Sequence, residues 1–152
     1  MKTQKWLWLF VAVIGLVLYA CSESEDGVKL GKTSHSLCKN IDARSSGGYS
    51  LGNQSVNYKV KYGVLYIDLI NYHMNCGADG ADVKLDLNEE TNEIRLTPYD
   101  LGYNSANCIC PIDISTTVSG LKYGEKYECI IERMNISFSF VCRNAVKGTV
   151  TP

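Results

Sequence analysis

The sequence predicts an all-β domain, an antiparallel β-sandwich held by disulfides. Three observations predict it. Several short segments alternate apolar and polar residues with period two, and turn signals separate them. No window shows a convincing helical period. Beyond Cys21 come Cys38, Cys76, Cys108, Cys110, Cys129 and Cys142, an even set of the kind that staples exported domains.

In chain order, residues 27–37 read as a short tether or edge segment, and residues 38–44 as a strand ended by Ser45-Ser46-Gly47-Gly48. Val56, Tyr58, Val60 and Tyr62 then alternate with Asn57, Lys59 and Lys61, a half-buried strand broken by Gly63. Val64 to Tyr72 is apolar on both faces except for Asp68, which predicts a central strand. Residues 75–81 carry two glycines and read as a loop. Val83, Leu85 and Leu87 face one way, turn at residues 88–92, and return with Ile94 and Leu96, closed by Pro98. Residues 99–107 are irregular. Ile112, Ile114, Thr116 and Val118 form the next strand. Tyr127, Cys129 and Ile131 then oppose Ile136, Phe138, Phe140 and Cys142 across a tight turn. Together these short strands predict a sandwich or barrel.

The first twenty residues are of another kind. Lys2 and Lys5 precede an apolar run from Trp6 to Leu18, and Ser22-Glu23-Ser24-Glu25-Asp26 follows Cys21. A positive start, a short apolar core and a small residue before a cut are the parts of a secretory signal. The run is shorter than the ~20 residues a spanning helix needs. Leu18-Tyr19-Ala20-Cys21 resembles the lipobox of bacterial lipoproteins, in which a peptidase cuts before the cysteine and a diacylglyceryl group joins its sulfur. Tyr19 is bulkier than lipobox residues usually are. The resemblance implies lipid attachment at Cys21, with a signal peptide over 1–20, a lipidated acidic tether over 21–34 and a sandwich domain over 35–152. The acidic stretch resembles the export signal of surface lipoproteins in Gram-negative gut bacteria, which implies the outer membrane; the same composition also fits a solvated linker.

Lys2 and Lys5 leave with such a leader, so 15 cationic residues fall to 13 against 16 anionic ones, a net charge of −3. No basic patch emerges, which argues against nucleic acid as a partner. Six cysteines permit 15 connectivities. Cys129 and Cys142 lie on one inward-facing set of the last hairpin, which predicts a cross-strand bridge between them. Cys108 and Cys110 are too close to pair comfortably, so each is expected to reach elsewhere, one of them to Cys76. A metal at Cys108-x-Cys110 with His73 and Cys76 is disfavoured by spacing, since zinc prefers C-x₂₋₄-C. No cofactor is expected.

Leu121-Lys122-Tyr123-Gly124-Glu125-Lys126-Tyr127 resembles the L-x-x-G-x-x-Y corner of immunoglobulin-like and fibronectin-III-like domains. The resemblance covers about twenty residues and implies an immunoglobulin-like sandwich with Tyr127 as the corner tyrosine, its hydroxyl bonded to upstream backbone. The tryptophan of antibody domains is absent. Asn75-Cys76, Cys108-Ile109-Cys110-Pro111-Ile112-Asp113-Ile114 and residues 120–127 together resemble small cysteine-bearing envelope lipoproteins of gut Gram-negative bacteria, a likeness that carries no activity.

Gly48-Tyr49-Ser50-Leu51-Gly52 fits G-x-S-x-G, but a strand rather than a helix follows, so a nucleophile elbow is not expected. Asp79, Asp82 and Asp86 lack the spacing of a calcium loop. His73 has no cluster of partners in the sequence. The expected function is a non-enzymatic binding, adhesion or assembly-support module of the cell envelope. It would meet the membrane through lipid and take a protein or glycan partner through Tyr99 and Tyr103, on a loop pinned by Cys108. The alternative is a small envelope enzyme or enzyme inhibitor using that loop.

Overall fold

The computed structural model describes residues 27–39, 51–102 and 106–152. Those residues form ten strands and no helix: β1 (Lys29–Leu30), β2 (Ser34–His35), β3 (Ser55–Lys61), β4 (Val64–Asn75), β5 (Gly80–Asn88), β6 (Glu93–Leu101), β7 (Ile109–Ser119), β8 (Lys126–Ile131), β9 (Ile136–Val141) and β10 (Val146–Val150). One sheet runs β1-β7-β4-β3-β10, with β2 also on β7; the other runs β5-β6-β8-β9.

Alternation builds the core. Val56, Val60, Leu65, Ile67, Leu69, Ile112, Ile114 and Val118 of the first sheet turn inward and are fully buried or nearly so. Ile94, Leu96, Cys129 and Ile131 meet them from the second. Each such side chain contributes ~1.5–3 kcal/mol of burial free energy. β4 is the central strand, between β3 and β7, but its outer face is not apolar: Tyr66 and Asp68 are exposed there.

The all-β, disulfide-bonded sandwich expected from the sequence is the observed architecture. Tyr127 opens β8 almost fully buried, and its hydroxyl accepts a hydrogen bond from the Lys122 backbone N–H at 3.0 Å. Every strand pair among the described residues is antiparallel except β6 with β8, which run parallel from Glu93↔Glu128 to Leu96↔Ile131. Between those two strands the chain crosses to the other sheet as β7, so β8 starts from the end where β6 started.

Three boundaries differ from the sequence expectation. The chain joins the sandwich at Lys29 rather than at residue 35, because β1 and β2 pair with the edge of β7. β6 does not close at Pro98 but continues to Leu101. The β8 ladder ends at Leu96, so Pro98 has no neighbour on that side whose hydrogen bond its missing N–H would break. β10 has no counterpart in the sequence reading; its residues Val146, Gly148 and Val150 alternate too weakly to stand out.

β4 and β7 lose register between Leu69 and Tyr72, and Asn71 takes a left-handed φ of 55°. Asparagine tolerates that region. Asp113 Oδ1 accepts the Asn71 N–H at 3.0 Å and Lys39 Nζ at 2.6 Å, and Lys39 also donates to Asn71 Oδ1. The irregularity thereby fastens the segment that carries Cys38.

Strand directions give the molecule two ends. The β3–β4, β5–β6, β7–β8 and β9–β10 turns share the end where residue 27 enters. The β4–β5 turn, the β6–β7 connection and the β8–β9 turn share the other, called here the far end.

Candidate functional site

The far end is the most heavily cross-braced part of the fold. Cys38 is bridged to Cys110 and Cys76 to Cys108. Cys108 and Cys110 therefore reach elsewhere, one of them to Cys76, as their spacing predicts. The Asn75 side chain clamps the β6–β7 connection: its Nδ2 donates to Ala106 O at 2.7 Å, and its Oδ1 accepts Ala106 N–H and Gly77 N–H, each at 2.9 Å. Asp100 accepts the Asn75 N–H at 3.0 Å and the Tyr72 hydroxyl at 3.2 Å, while Arg133 donates to that hydroxyl at 3.2 Å. Burial pushes the Tyr72 phenol up, so it stays a neutral donor. These bonds tie β4, β6 and the β8–β9 turn into one unit.

On this braced frame sit three exposed apolar side chains: Leu37 (88% exposed), Ile109 (53%) and Leu101 (37%). The sequence reading missed them. Their signal was adjacency, since Leu37 precedes Cys38 and Ile109 lies between Cys108 and Cys110, where a bridge fixes the backbone and leaves the neighbouring side chain outside.

Tyr99 is placed differently from expectation. It belongs to β6, opposite Asp82, not to a free loop. Its hydroxyl donates to Asp82 Oδ2 at 3.3 Å, and Lys84 Nζ lies 5.0 Å from its ring centroid. The Thr33 hydroxyl and the Val83 N–H hold the Asp82 carboxyl below its ordinary range. Tyr99 is thus half-buried and engaged within the sheet. Tyr103 and Cys21 lie outside the described residues, as does Ser50 of the G-x-S-x-G match.

Cys129 and Cys142 are not bridged; both are buried thiols. The hairpin turns between Ile131 and Ile136, which sets Cys129 opposite Phe138. Cys142 falls four residues further on, donating its N–H to Glu125 O at 2.8 Å. Four residues of strand span ~13 Å at 3.3 Å each, whereas bridged Cα atoms lie within ~7 Å. Sharing a face was not enough without register. Burial pushes the Cys129 thiol up to about 12 and raises that of Cys142. Neither should react with a thiol-disulfide reagent in the folded chain, and both should react after unfolding in denaturant without reductant. Thiol counting by mass before and after denaturation checks this; rapid native labelling of Cys129 would contradict it.

Among the described residues no catalytic constellation is assembled. His73 stands on β4 opposite Pro111 with its Nε2 buried and without a hydrogen-bond partner. Among the described residues no three His, Cys, Asp or Glu side chains form a metal-holding group. A shallow groove of about 580 Å³ on the outer face of the first sheet is lined by Asn57, Lys59, Tyr66, Asp68, Lys147 and Thr149, and it lacks a nucleophile paired with a base. Comparison of the chain with protein-family models, curated proteins and solved structures gave no match.

Proposed function

We propose that the chain is a non-enzymatic binding or assembly-support module of the bacterial cell envelope, held at the outer membrane through lipid on Cys21. One observation carries the reading. Residue 27 enters at the end of the sandwich opposite the braced one, so an anchor upstream leaves the exposed Leu37, Leu101 and Ile109 at the end away from it. Exposed apolar side chains on a rigid frame suit capture of a partner, because little conformational freedom is lost on binding. Two disulfides support export to an oxidising compartment.

The anchor is tested by intact mass of the chain purified from membranes. Acylated Cys21 as the first residue is expected, and Cys21→Ala should leave an unacylated precursor or soluble chain. The binding end is tested with Leu37→Asp combined with Ile109→Asp in the full chain. Thermal unfolding should be nearly unchanged, since both side chains are exposed, while retention of any partner crosslinked on intact envelopes falls at least about tenfold, or ~1.4 kcal/mol. Unchanged retention would move the binding surface elsewhere.

A further inference from the structure

We propose that the end of the sandwich where residue 27 enters docks directly on the membrane surface, with Tyr62 and Tyr123 as its interfacial anchors. The inference rests on the membrane-anchored reading above.

Tyr62 and Gly63 form the two-residue turn between β3 and β4, with φ of 51° and 72°. Both central residues of this hairpin turn are left-handed, a geometry that Asn, Asp and Gly fill readily. A tyrosine there is strained, and its ring, 76% exposed, recovers little by packing; Lys61 Nζ lies 5.1 Å from its centroid. A strained backbone that projects an exposed aromatic ring is a reason to look for what the ring meets. Tyr123, 70% exposed, projects from the β7–β8 corner at the same end.

The two rings stand on one fastened platform. Leu121 N–H donates to Gly63 O at 3.1 Å, Tyr62 N–H to Asn144 Oδ1 at 2.9 Å, and Gly124 N–H to Cys142 O at 2.8 Å. Three turns are thus joined by hydrogen bonds. Lys61, Lys122, Lys126 and Arg143 are exposed around the rings. The carboxylates of this end are Glu125, Glu93 and Glu128 at the starts of β6 and β8 and, on the β5–β6 turn, Glu89 and Glu90, while Glu23, Glu25 and Asp26 stand between Cys21 and Gly27 in the sequence. Carboxylates outnumber these cations, so the rings rather than net charge drive docking, and the cations beside the rings meet lipid phosphates. Tyrosine at headgroup depth, flanked by lysine and arginine, is the chemistry of a membrane interface.

Chain length brings this end to the bilayer. Gly27 and Val28 line a cleft with Gly120, Lys122 and Tyr127, beside the corner that carries Tyr123. Cys21 lies six residues before Gly27, a reach of at most ~20 Å. The 12 residues of β4 alone extend roughly 40 Å. The far end cannot reach the surface in place of this one. An apolar segment left uncleaved ahead of Cys21 would impose the same orientation.

The test is enzymatic iodination of tyrosines on the full chain bound to phosphatidylcholine vesicles containing phosphatidylglycerol, mapped by mass spectrometry. Tyr66, 45% exposed on the outer face of the first sheet, is the internal reference. Exposure alone places Tyr62 and Tyr123 ahead of Tyr66. Docking inverts that order, with both labelled at least about tenfold more slowly than Tyr66, equivalent to ~1.4 kcal/mol. Tyr62→Asn, which suits the turn, should leave thermal unfolding unchanged or raise it while Tyr123 labelling rises to the Tyr66 rate. If Tyr123 stays protected in that variant, Tyr62 is not an anchor and the proposal fails. A chain that floats with the vesicles yet labels Tyr62 and Tyr123 ahead of Tyr66 overturns docking and leaves the anchor standing. A chain that does not float overturns both.

Discussion

Replacing Phe138 with alanine should destabilise the domain by about 3–5 kcal/mol, the range for deleting a large buried aromatic. Phe138 is only 9% exposed and stacks on Tyr58 with ring centroids 4.3 Å apart. Phe140 lies 6.1 Å from Phe138 and 5.7 Å from Tyr127, so a run of four rings links β3, β9 and β8. On its far side the Tyr58 ring lies against Gly148 of β10, where an added Cβ would sit 2.7 Å from Tyr58 Cε1. The ring is therefore packed between a glycine and a phenylalanine. Removing the phenylalanine opens a cavity that β10, hydrogen-bonded to β3 alone, cannot close by shifting the ring. Phe138→Leu should cost clearly less because it keeps most of the volume. Urea unfolding of both variants decides; equal losses would show that the stacked ring contact, rather than the filled volume, carries the stabilisation.

Replacing Cys38 and Cys110 together with alanine should lower stability by about 4 kcal/mol in the chain-entropy model. The bridge spans 72 residues and ties the edge segment to β7. Cys76–Cys108 spans 32 residues, so its loss should be smaller by under 1 kcal/mol. The two variants should differ in kind as well. Without Cys38–Cys110, only hydrogen bonds would fasten the 36–39 segment, from Ser36 and Lys39 to β7 and from Lys39 Nζ to Asn71 and Asp113, and amide exchange there should rise first. Exchange that stays slow while global stability falls would place the bridge's effect wholly in the unfolded chain.

Strand existence was legible because period-two alternation follows directly from which face is buried. Val56 to Val60, Val83 to Leu87 and Ile112 to Val118 each read correctly. Register was not legible, since every residue pairing of the last hairpin depends on where the turn is centred. A bridge between Cys129 and Cys142 needs the turn centred between Asn135 and Ile136, two residues later than the Ile131↔Ile136 pairing sets it. β10 escaped because edge strands need little apolar alternation, and for the same reason residues 27–37, which hold β1 and β2, read equally as a tether or an edge segment. The candidate site was legible through its covalent chemistry: Cys108 and Cys110 marked the far end. Tyr99 misled because proline was read as a stop, when in a sheet its effect depends on whether a neighbour needs its N–H.

Two buried thiols in a chain that also carries two bridges impose an order on maturation. A hairpin such as β8–β9 closes in about 1–10 μs, whereas disulfides form over seconds to hours. Cys129 is enclosed once that hairpin packs, and Cys142 is fully buried beside it. An oxidant arriving later meets only Cys38, Cys76, Cys108 and Cys110, which leaves three pairings among the four rather than the 15 that six would allow. Early collapse of one local element thereby acts as a filter on oxidation chemistry.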